Sequence, residues 1–147
     1  MRKLLENVIT QEDADLLPPP KMRHIKLKTT ENPAILKVLA AIFRETGLRT
    51  KDLHAMSYAK VSHQPQGHAW HNDLGQNKLG GSAHMSWCRV GASMLLTGGT
   101  LWYKDAWNST TQTAVSRNKF DLVLHGSDQI HSVSPSKGKR VALLIFI

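Results

Sequence analysis

The sequence has little of what stabilises small secreted proteins or anchors membrane proteins. Cys88 is the only cysteine among 147 residues, which excludes an internal disulfide and a zinc site built from cysteines. No apolar run is long enough for a signal peptide or a membrane span. Internal repeats and low-complexity tracts are also lacking. We therefore expect a soluble, intracellular (cytoplasmic) protein with no membrane partner.

A basic tail is missing as well, although the net charge is positive. Nineteen Lys and Arg residues outnumber eleven Asp and Glu residues, which gives a net charge of +8. Residues 1–60 carry eleven basic and seven acidic groups, and residues 61–147 carry eight and four, so each part contributes +4. This distributed charge is compatible with an acidic partner such as nucleic acid. It is equally compatible with solubility alone.

The length predicts a single domain that spans all 147 residues. A change of pattern divides it into an N-terminal arm and helical buttress, residues 1–52, and a β core, residues 53–147. In the first part, apolar residues at helical spacing predict a helix that is capped by Thr30 or Asn32 and ends at Gly47.

The rest of the chain predicts short extended segments. Residues 1–20 predict a short helix or arm that ends at three prolines, and residues 21–28 predict a strand. Gly98-Gly99 predicts a tight hairpin turn between two of the later strands. Those strands are expected at residues 57–63, 92–97, 100–104, 120–125, 130–134 and 140–147. One helix followed by seven or eight strands predicts a mostly β fold, a jelly roll with the N-terminal helix packed on one sheet.

Two histidines, one aspartate and one arginine form the most informative pattern. His71 and Asp73 are two residues apart, so on a strand they point to the same side. With His131 they would form a three-ligand set that suits Fe(II) and leaves coordination positions open. Arg140 alternates with apolar residues on the last predicted strand, and a buried unpaired charge is very costly. An anionic ligand would supply its partner.

In this order, the motifs resemble those of the Fe(II)/2-oxoglutarate-dependent dioxygenases, whose catalytic core is a double-stranded β-helix. The resemblance covers residues 57–147. The nine-residue spacing from His131 to Arg140 is similar to that of the prolyl-hydroxylase-like branch. The matching motifs are His71-Asn72-Asp73, Gly98-Gly99-Thr100-Leu101, and His131, Val133, Pro135, Gly138 and Arg140.

The resemblance implies the cofactors and the reaction. His71, Asp73 and His131 would be the catalytic iron ligands, and Arg140 would pair with the far carboxylate of the co-substrate 2-oxoglutarate. Dioxygen would be the oxidant, with ascorbate as reductant. Oxidative decarboxylation to succinate and carbon dioxide would accompany hydroxylation of a substrate C–H bond.

The chain departs from the family pattern at two places. Many relatives carry a serine two residues after the arginine, where this chain has Ala142. We expect Tyr58 to supply the missing hydroxyl, with Ser93 as the weaker candidate. The usual Pro-Gly turn before the strand pair of the second histidine is replaced by Arg117-Asn118-Lys119.

The substrate is the least determined feature. Trp70, Trp87 and Arg89 are candidates for substrate binding, although the tryptophans could serve core packing and Arg89 a strand surface. The arginine spacing favours a protein or peptide side chain. The alternatives are a nucleic-acid base, as in TET/JBP or AlkB-type enzymes, and a non-catalytic jelly-roll module that only binds metal. We expect His63, His68, His84 and His125 not to bind metal. His68 lies three residues before His71, so on a regular strand it would face the opposite side.

Overall fold

The computed structural model describes residues 2–20 and 23–147. Within these residues two α-helices, one short 3-10 helix (Thr50–Asp52) and ten strands are defined, and no helix is long and apolar enough to cross a membrane. The α-helices are α1 (Gln11–Asp15) and α2 (Pro33–Thr46). The strands are β1 (Arg2–Leu5), β2 (Ile25–Lys26), β3 (Tyr58–His63), β4 (His68–His71), β5 (Val90–Thr97), β6 (Leu101–Lys104), β7 (Thr113–Ala114), β8 (Leu122–Gly126), β9 (Ile130–Val133) and β10 (Val141–Phe146).

The strands form two antiparallel sheets. Six strands pair in the order β1-β8-β5-β10-β3-β2, and four pair in the order β4-β9-β6-β7. The mostly β jelly-roll class predicted from the sequence is confirmed. Strands β1 and β2 precede residue 53, so the larger sheet contains strands from both parts of the chain, and the predicted division of the domain stays a prediction.

Helix α2 has the bounds that its sequence predicts. The Asn32 side-chain oxygen accepts hydrogen bonds from the backbone amides of Ala34 and Ile35, at 3.0 and 3.1 Å. This satisfies amides that have no partner inside the helix. Gly47 ends the helix in the left-handed conformation, with φ of 75°, which glycine adopts without steric cost.

One face of the six-stranded sheet shares a dry core with α2, and the other faces the site described below. Along β10, Val141, Leu143 and Ile145 belong to the same hydrophobic cluster as the buried side chains of α2. Leu144 and Phe146 alternate with them and line a cavity. The strand period of two therefore separates a structural face from a functional one.

The N-terminal segments contain one strand that the sequence does not predict. Residues 1–20 contain β1 and α1, and β1 pairs with β8 at the edge of the larger sheet. Of the strand expected at residues 21–28, β2 forms only Ile25–Lys26; Lys21 and Met22 lie outside the described residues. The missed strand β1 has no clear alternation in burial, and its pairing partner is distant in sequence.

The hairpin predicted at Gly98-Gly99 is wrong. The glycines connect β5 to β6, but β5 belongs to the six-stranded sheet and β6 to the four-stranded sheet. Both glycines have positive φ, 62° and 82°, as expected where the chain turns sharply. A Cβ at Gly99 would lie 2.5 Å from Nε of Arg140. The glycine pair therefore carries the chain between sheets and leaves room for the arginine side chain.

Candidate active site

His71, Asp73 and His131 come together at the edge of the smaller sheet. His71 ends β4 and lies opposite His131 of β9 in the strand register. One ligand atom from each of the three residues lies within 4.8 Å of the other two. They form a group that could hold a metal ion, and it is the same group that the sequence predicts.

A turn, rather than a continuous strand, places the carboxylate. Strand β4 ends at His71, and the buried Asn72 side chain folds the next residues by accepting hydrogen bonds from the amides of Leu74 and Gln76. The Asp73 amide donates to the carbonyl of Ser127, at 3.0 Å. The predicted same-side arrangement is present, but the turn and not the alternation of a strand produces it.

Backbone carbonyls orient both histidines of this group. Nδ1 of His71 lies 2.7 Å from the carbonyl of Ala69, and Nδ1 of His131 lies 2.8 Å from that of Gln129. In the neutral rings these contacts place the hydrogen on Nδ1 and leave Nε2 as an electron-pair donor. Nε2 of His131 then faces the Asp73 carboxylate at 3.2 Å. A cation between them would accept electron pairs from both the nitrogen and the carboxylate oxygen. The set of ligand atoms therefore fits a bound metal ion.

A buried hydrogen-bond chain supports the carboxylate from the other side. The hydroxyl of Tyr103 lies 2.7 Å from Nδ1 of His125, whose Nε2 lies 2.6 Å from Asp73. Burial raises the pKa of Asp73, but the hydrogen bond from His125 and the close approach of His131 outweigh it and hold the pKa well below its usual range. The carboxylate therefore stays ionised and oriented, as a metal ligand requires.

His71 is neutral at ordinary pH. Burial lowers the pKa of His71 to about 3, and the proximity of His131 and His68 lowers it further. A neutral imidazole is the form that binds metal. His68 stacks on His71 with ring centroids 3.7 Å apart, because the β4–β9 pairing is irregular between them. The expectation that His68 faces away is therefore wrong, although it is not part of the three-ligand group.

A cavity of about 360 Å³ extends from this group to Arg140. Arg140 is 4% exposed, and its guanidinium makes one long contact, 3.5 Å, with the carbonyl of Gln64. Among residues 2–20 and 23–147 no carboxylate forms an ion pair with it. Burial lowers the pKa of Arg140. A cation in this position is available to an anionic ligand in the cavity.

Both residues expected to supply a hydroxyl line the cavity, at different depths. Tyr58 is paired with Phe146 at the far end of β10, and its hydroxyl contacts the Met85 sulfur at 3.8 Å. Burial raises the pKa of Tyr58 to about 12. Ser93 is paired with Leu144, two positions nearer to Arg140. The register therefore favours Ser93 as the partner of Arg140.

Of the three residues expected to bind substrate, only Trp70 lines the cavity. Trp70 lines the cavity, and the Lys104 ammonium lies 4.4 Å from its ring centroid. Trp87 stacks on His54, at 5.4 Å, and Arg89 donates to the carbonyl of Asp52 at 2.8 Å. Neither Trp87 nor Arg89 is among the described residues that line the cavity.

Several solved structures are similar to this chain in fold. A prolyl hydroxylase from Trichoplax adhaerens, in complex with a hypoxia inducible factor oxygen degradation domain peptide fragment, matches with a TM-score of 0.63 and 15% identity. The match covers 99% of this chain and 83% of that one. A Pseudomonas putida prolyl-4-hydroxylase matches at 0.61 and 16%, covering 99% and 91% of the two chains. A 2OG-Fe(II) oxygenase family protein from Burkholderia pseudomallei matches at 0.61 and 12%, covering 99% and 82%.

The chain has the fold of the 2-oxoglutarate oxygenases. This confirms, at the level of the fold, the resemblance that the motifs indicate. The sequence matches no protein-family model and none of the curated proteins. The likeness is therefore carried by the arrangement of the sheets.

Within this oxygenase fold, four residues that matter to the site escape the sequence motifs. His125 and Tyr103 hold Asp73, and Arg117 donates to Ser93. At Gly91 a Cβ would collide with the Asp73 carboxylate and lie 2.7 Å from Nε2 of His125. For Arg117 the signal was the replaced Pro-Gly turn. The others have no local signal, because pairing between distant strands brings them to Asp73.

Proposed function

We propose that this protein is an Fe(II)/2-oxoglutarate-dependent oxygenase that hydroxylates a C–H bond of a protein or peptide side chain. One observation carries the proposal. A metal-binding group with two histidines and one carboxylate opens on a cavity whose other end holds Arg140, a buried guanidinium with no ion-pair partner among the described residues. The 2-oxo acid end of a 2-oxo dicarboxylate can bind the metal, and its far carboxylate can bind Arg140.

Each residue has a distinct role in this proposal. His71, Asp73 and His131 would hold the iron, which supplies the chemistry of dioxygen activation. Arg140 binds the far carboxylate of 2-oxoglutarate and so directs its 2-oxo acid end to the metal group. Leu101, Val133 and Leu144 line the cavity and would limit the access of water to the bound co-substrate.

The arginine also separates this function from the non-catalytic alternative. A metal site that only stabilises the fold has no use for a cationic group at the opposite end of an apolar cavity, since desolvating it costs free energy. A peptide substrate is favoured over a nucleobase because one structural relative is a prolyl hydroxylase in complex with a peptide fragment. The net charge alone does not distinguish the two.

The test is 2-oxoglutarate-dependent succinate release under air with Fe(II) and ascorbate. We expect turnover in the wild type, with peptide substrates accelerating it, and none above background in His131→Ala or Arg140→Ala. His63→Ala is the matched control, because His63 is exposed and does not line the cavity. Calorimetry should show 2-oxoglutarate binding that requires the metal. A wild-type protein that binds no 2-oxoglutarate in the presence of Fe(II) or Mn(II) contradicts the proposal.

A further inference from the structure

The proposed co-substrate site lacks a hydroxyl where many relatives have one. Ala142 stands two residues after Arg140, and its methyl side chain can donate no hydrogen bond. Arg140 itself makes only the 3.5 Å contact with a backbone carbonyl. A carboxylate bound in this cavity needs several donors, because each of its oxygens accepts more than one hydrogen bond. A second donor near Arg140 is therefore required.

Ser93 is placed to be that donor. It lies in the middle of β5, between Leu144 of β10 and Val123 of β8 in the strand register, and its side chain lines the cavity. Ser93 is 6% exposed, so its hydroxyl is screened from bulk water. Among the residues that the structure describes, this hydroxyl has no acceptor for its own hydrogen.

Arg117 holds Ser93 in place. It lies in the segment between β7 and β8, and its Nη1 donates to the Ser93 carbonyl at 2.7 Å and to the Ser93 hydroxyl oxygen at 3.1 Å. Because the oxygen accepts from a guanidinium, the Ser93 hydrogen points elsewhere and is free to donate. No carboxylate of the described part of the chain forms an ion pair with Arg117.

The two guanidinium groups also affect each other. Burial lowers the pKa of Arg117 to about 10; the nearby Tyr103 and Asp121 oppose this shift, and the positive charge of Arg140 adds to it. Arg117 does not itself line the cavity, but it lies close enough to Arg140 for the two charges to repel each other. An anionic ligand beside Arg140 would relieve their repulsion, whereas a neutral ligand would not.

We propose that the Ser93 hydroxyl binds the far carboxylate of the co-substrate together with Arg140, and that Arg117 is the positioning residue that orients this hydroxyl. The inference rests on the proposed function, since it assigns two further residues to the same pocket. It also gives a role to Arg117-Asn118-Lys119, the segment that departs from the family pattern.

The experiment compares two ligands that differ only at the far end. Calorimetry with Mn(II) gives the dissociation constants of 2-oxoglutarate and of 2-oxovalerate, which has the same five-carbon chain and 2-oxo acid group but no far carboxylate. The proteins are the wild type, Ser93→Ala, Ser93→Thr, Arg117→Gln and the double variant Ser93→Ala/Arg117→Gln. Thermal unfolding of each confirms that it is folded.

We expect Ser93→Ala to weaken 2-oxoglutarate binding about tenfold, the size typical of a hydrogen bond to a charged group. Binding of 2-oxovalerate should not change, and Ser93→Thr, which keeps the hydroxyl, should retain most of the affinity. Arg117→Gln should weaken 2-oxoglutarate binding about threefold to fivefold. In the Ser93→Ala background it should add little, because the two residues act through one hydrogen bond.

Two results would overturn the inference while leaving the proposed function intact. Either the variants bind 2-oxoglutarate like a wild type that binds it well, or they lose affinity for both ligands equally, as a purely structural role predicts. Additive effects of the two substitutions would likewise reject the positioning role of Arg117. A wild type that binds neither ligand with the metal present overturns the proposed function and the inference together.

Discussion

The two faces of the six-stranded sheet are made by alternate residues of the same strands, yet they bury opposite kinds of side chain. The face towards α2 buries Met94, Leu122 and Leu143, each 0% exposed. The face towards the cavity buries Ser93, His125 and Arg140 almost as completely. The first face is dry and carries no site residue, whereas the second holds polar groups that line the cavity or support Asp73.

The difference shows how a small domain can maintain a polar interior. Burial of apolar surface on the helix side stabilises the fold by roughly 25 cal/mol per Å². Burial of polar groups on the cavity side has a cost, which is limited where they bond to each other, as Tyr103, His125 and Asp73 do. We therefore expect substitutions on the helix side to change stability and those on the cavity side to change ligand binding.

The sharpest test uses two adjacent leucines of β10. Leu143 faces the helix and is fully buried, whereas Leu144 lines the cavity and is partly exposed. Leu143→Ala should lower the free energy of unfolding by about 3 kcal/mol, within the range for buried leucines. It should leave the 2-oxoglutarate dissociation constant unchanged. Urea unfolding and calorimetry measure the two effects.

Leu144→Ala is the matched control for this prediction. Because Leu144 already borders a cavity, its truncation should cost less stability, about 1 kcal/mol, and should weaken co-substrate binding several-fold. Equal losses of stability in the two variants would show that the helix face and the cavity face contribute equally to stability.

Gly91 tests the cavity side without removing any functional group. Gly91→Ala places a methyl group against the Asp73 carboxylate and Nε2 of His125, so the ligand must move. We expect metal affinity to fall about tenfold to a hundredfold, as when an outer-shell partner of a metal ligand is disturbed. Metal titration followed by tryptophan fluorescence measures this.

Gly138→Ala serves as its control, since a Cβ at Gly138 would meet nothing within 4 Å. This variant should bind metal like the wild type. An unchanged metal affinity in Gly91→Ala would mean that Asp73 can shift freely, and that its support by His125 is not required.

The cavity side should also make the metal-free protein sensitive to acid. The pKa of His71 is lowered to about 3 in the folded protein, against about 6.5 in an unfolded chain. Between these values the unfolded state binds a proton that the folded state does not, so stability falls as the pH is lowered from 6.5 towards 3. His71→Gln should reduce this slope by up to about 1.4 kcal/mol per pH unit.

Urea unfolding with a chelator at several pH values between 7.5 and 4.5 measures the slope. His63→Gln is the control, because His63 is exposed and lies outside the cavity. The same slope in His71→Gln and the wild type would show that His71 is not held neutral by its surroundings.

Features that depend on local spacing can be predicted from the sequence, whereas contacts between distant strands cannot. The period of β10, the bounds of α2 and the grouping of His71, Asp73 and His131 can be predicted, because each depends on spacing along the chain or on a motif. The Tyr103–His125–Asp73 chain cannot, because its residues come from three separate strands or turns. Their proximity is a property of the sheet register.

The same reason accounts for the errors. Gly98-Gly99 has the composition of a hairpin turn, and only the pairing of β5 and β6 with other strands shows that it crosses between sheets. Regular alternation along β4 predicts that His68 and His71 face opposite sides. A local irregularity between them places the two side chains together instead. Spacing rules fail where a strand is irregular or where the partner is distant in sequence.

The smallest expected effect is at the helix that backs the dry face. Asn32→Ala removes the acceptor for the amides of Ala34 and Ile35 and should lower stability by about 1 kcal/mol. Thr30→Ala should cost less, because the Thr30 hydroxyl accepts only from the Asn32 amide, at 3.2 Å, outside the helix. Metal and 2-oxoglutarate affinities should be unchanged in both variants. Neither Asn32 nor Thr30 is among the described residues that line the cavity. A weaker metal affinity in Asn32→Ala would therefore mean that a shift of the helix changes the site through the sheet, and that the two faces are coupled.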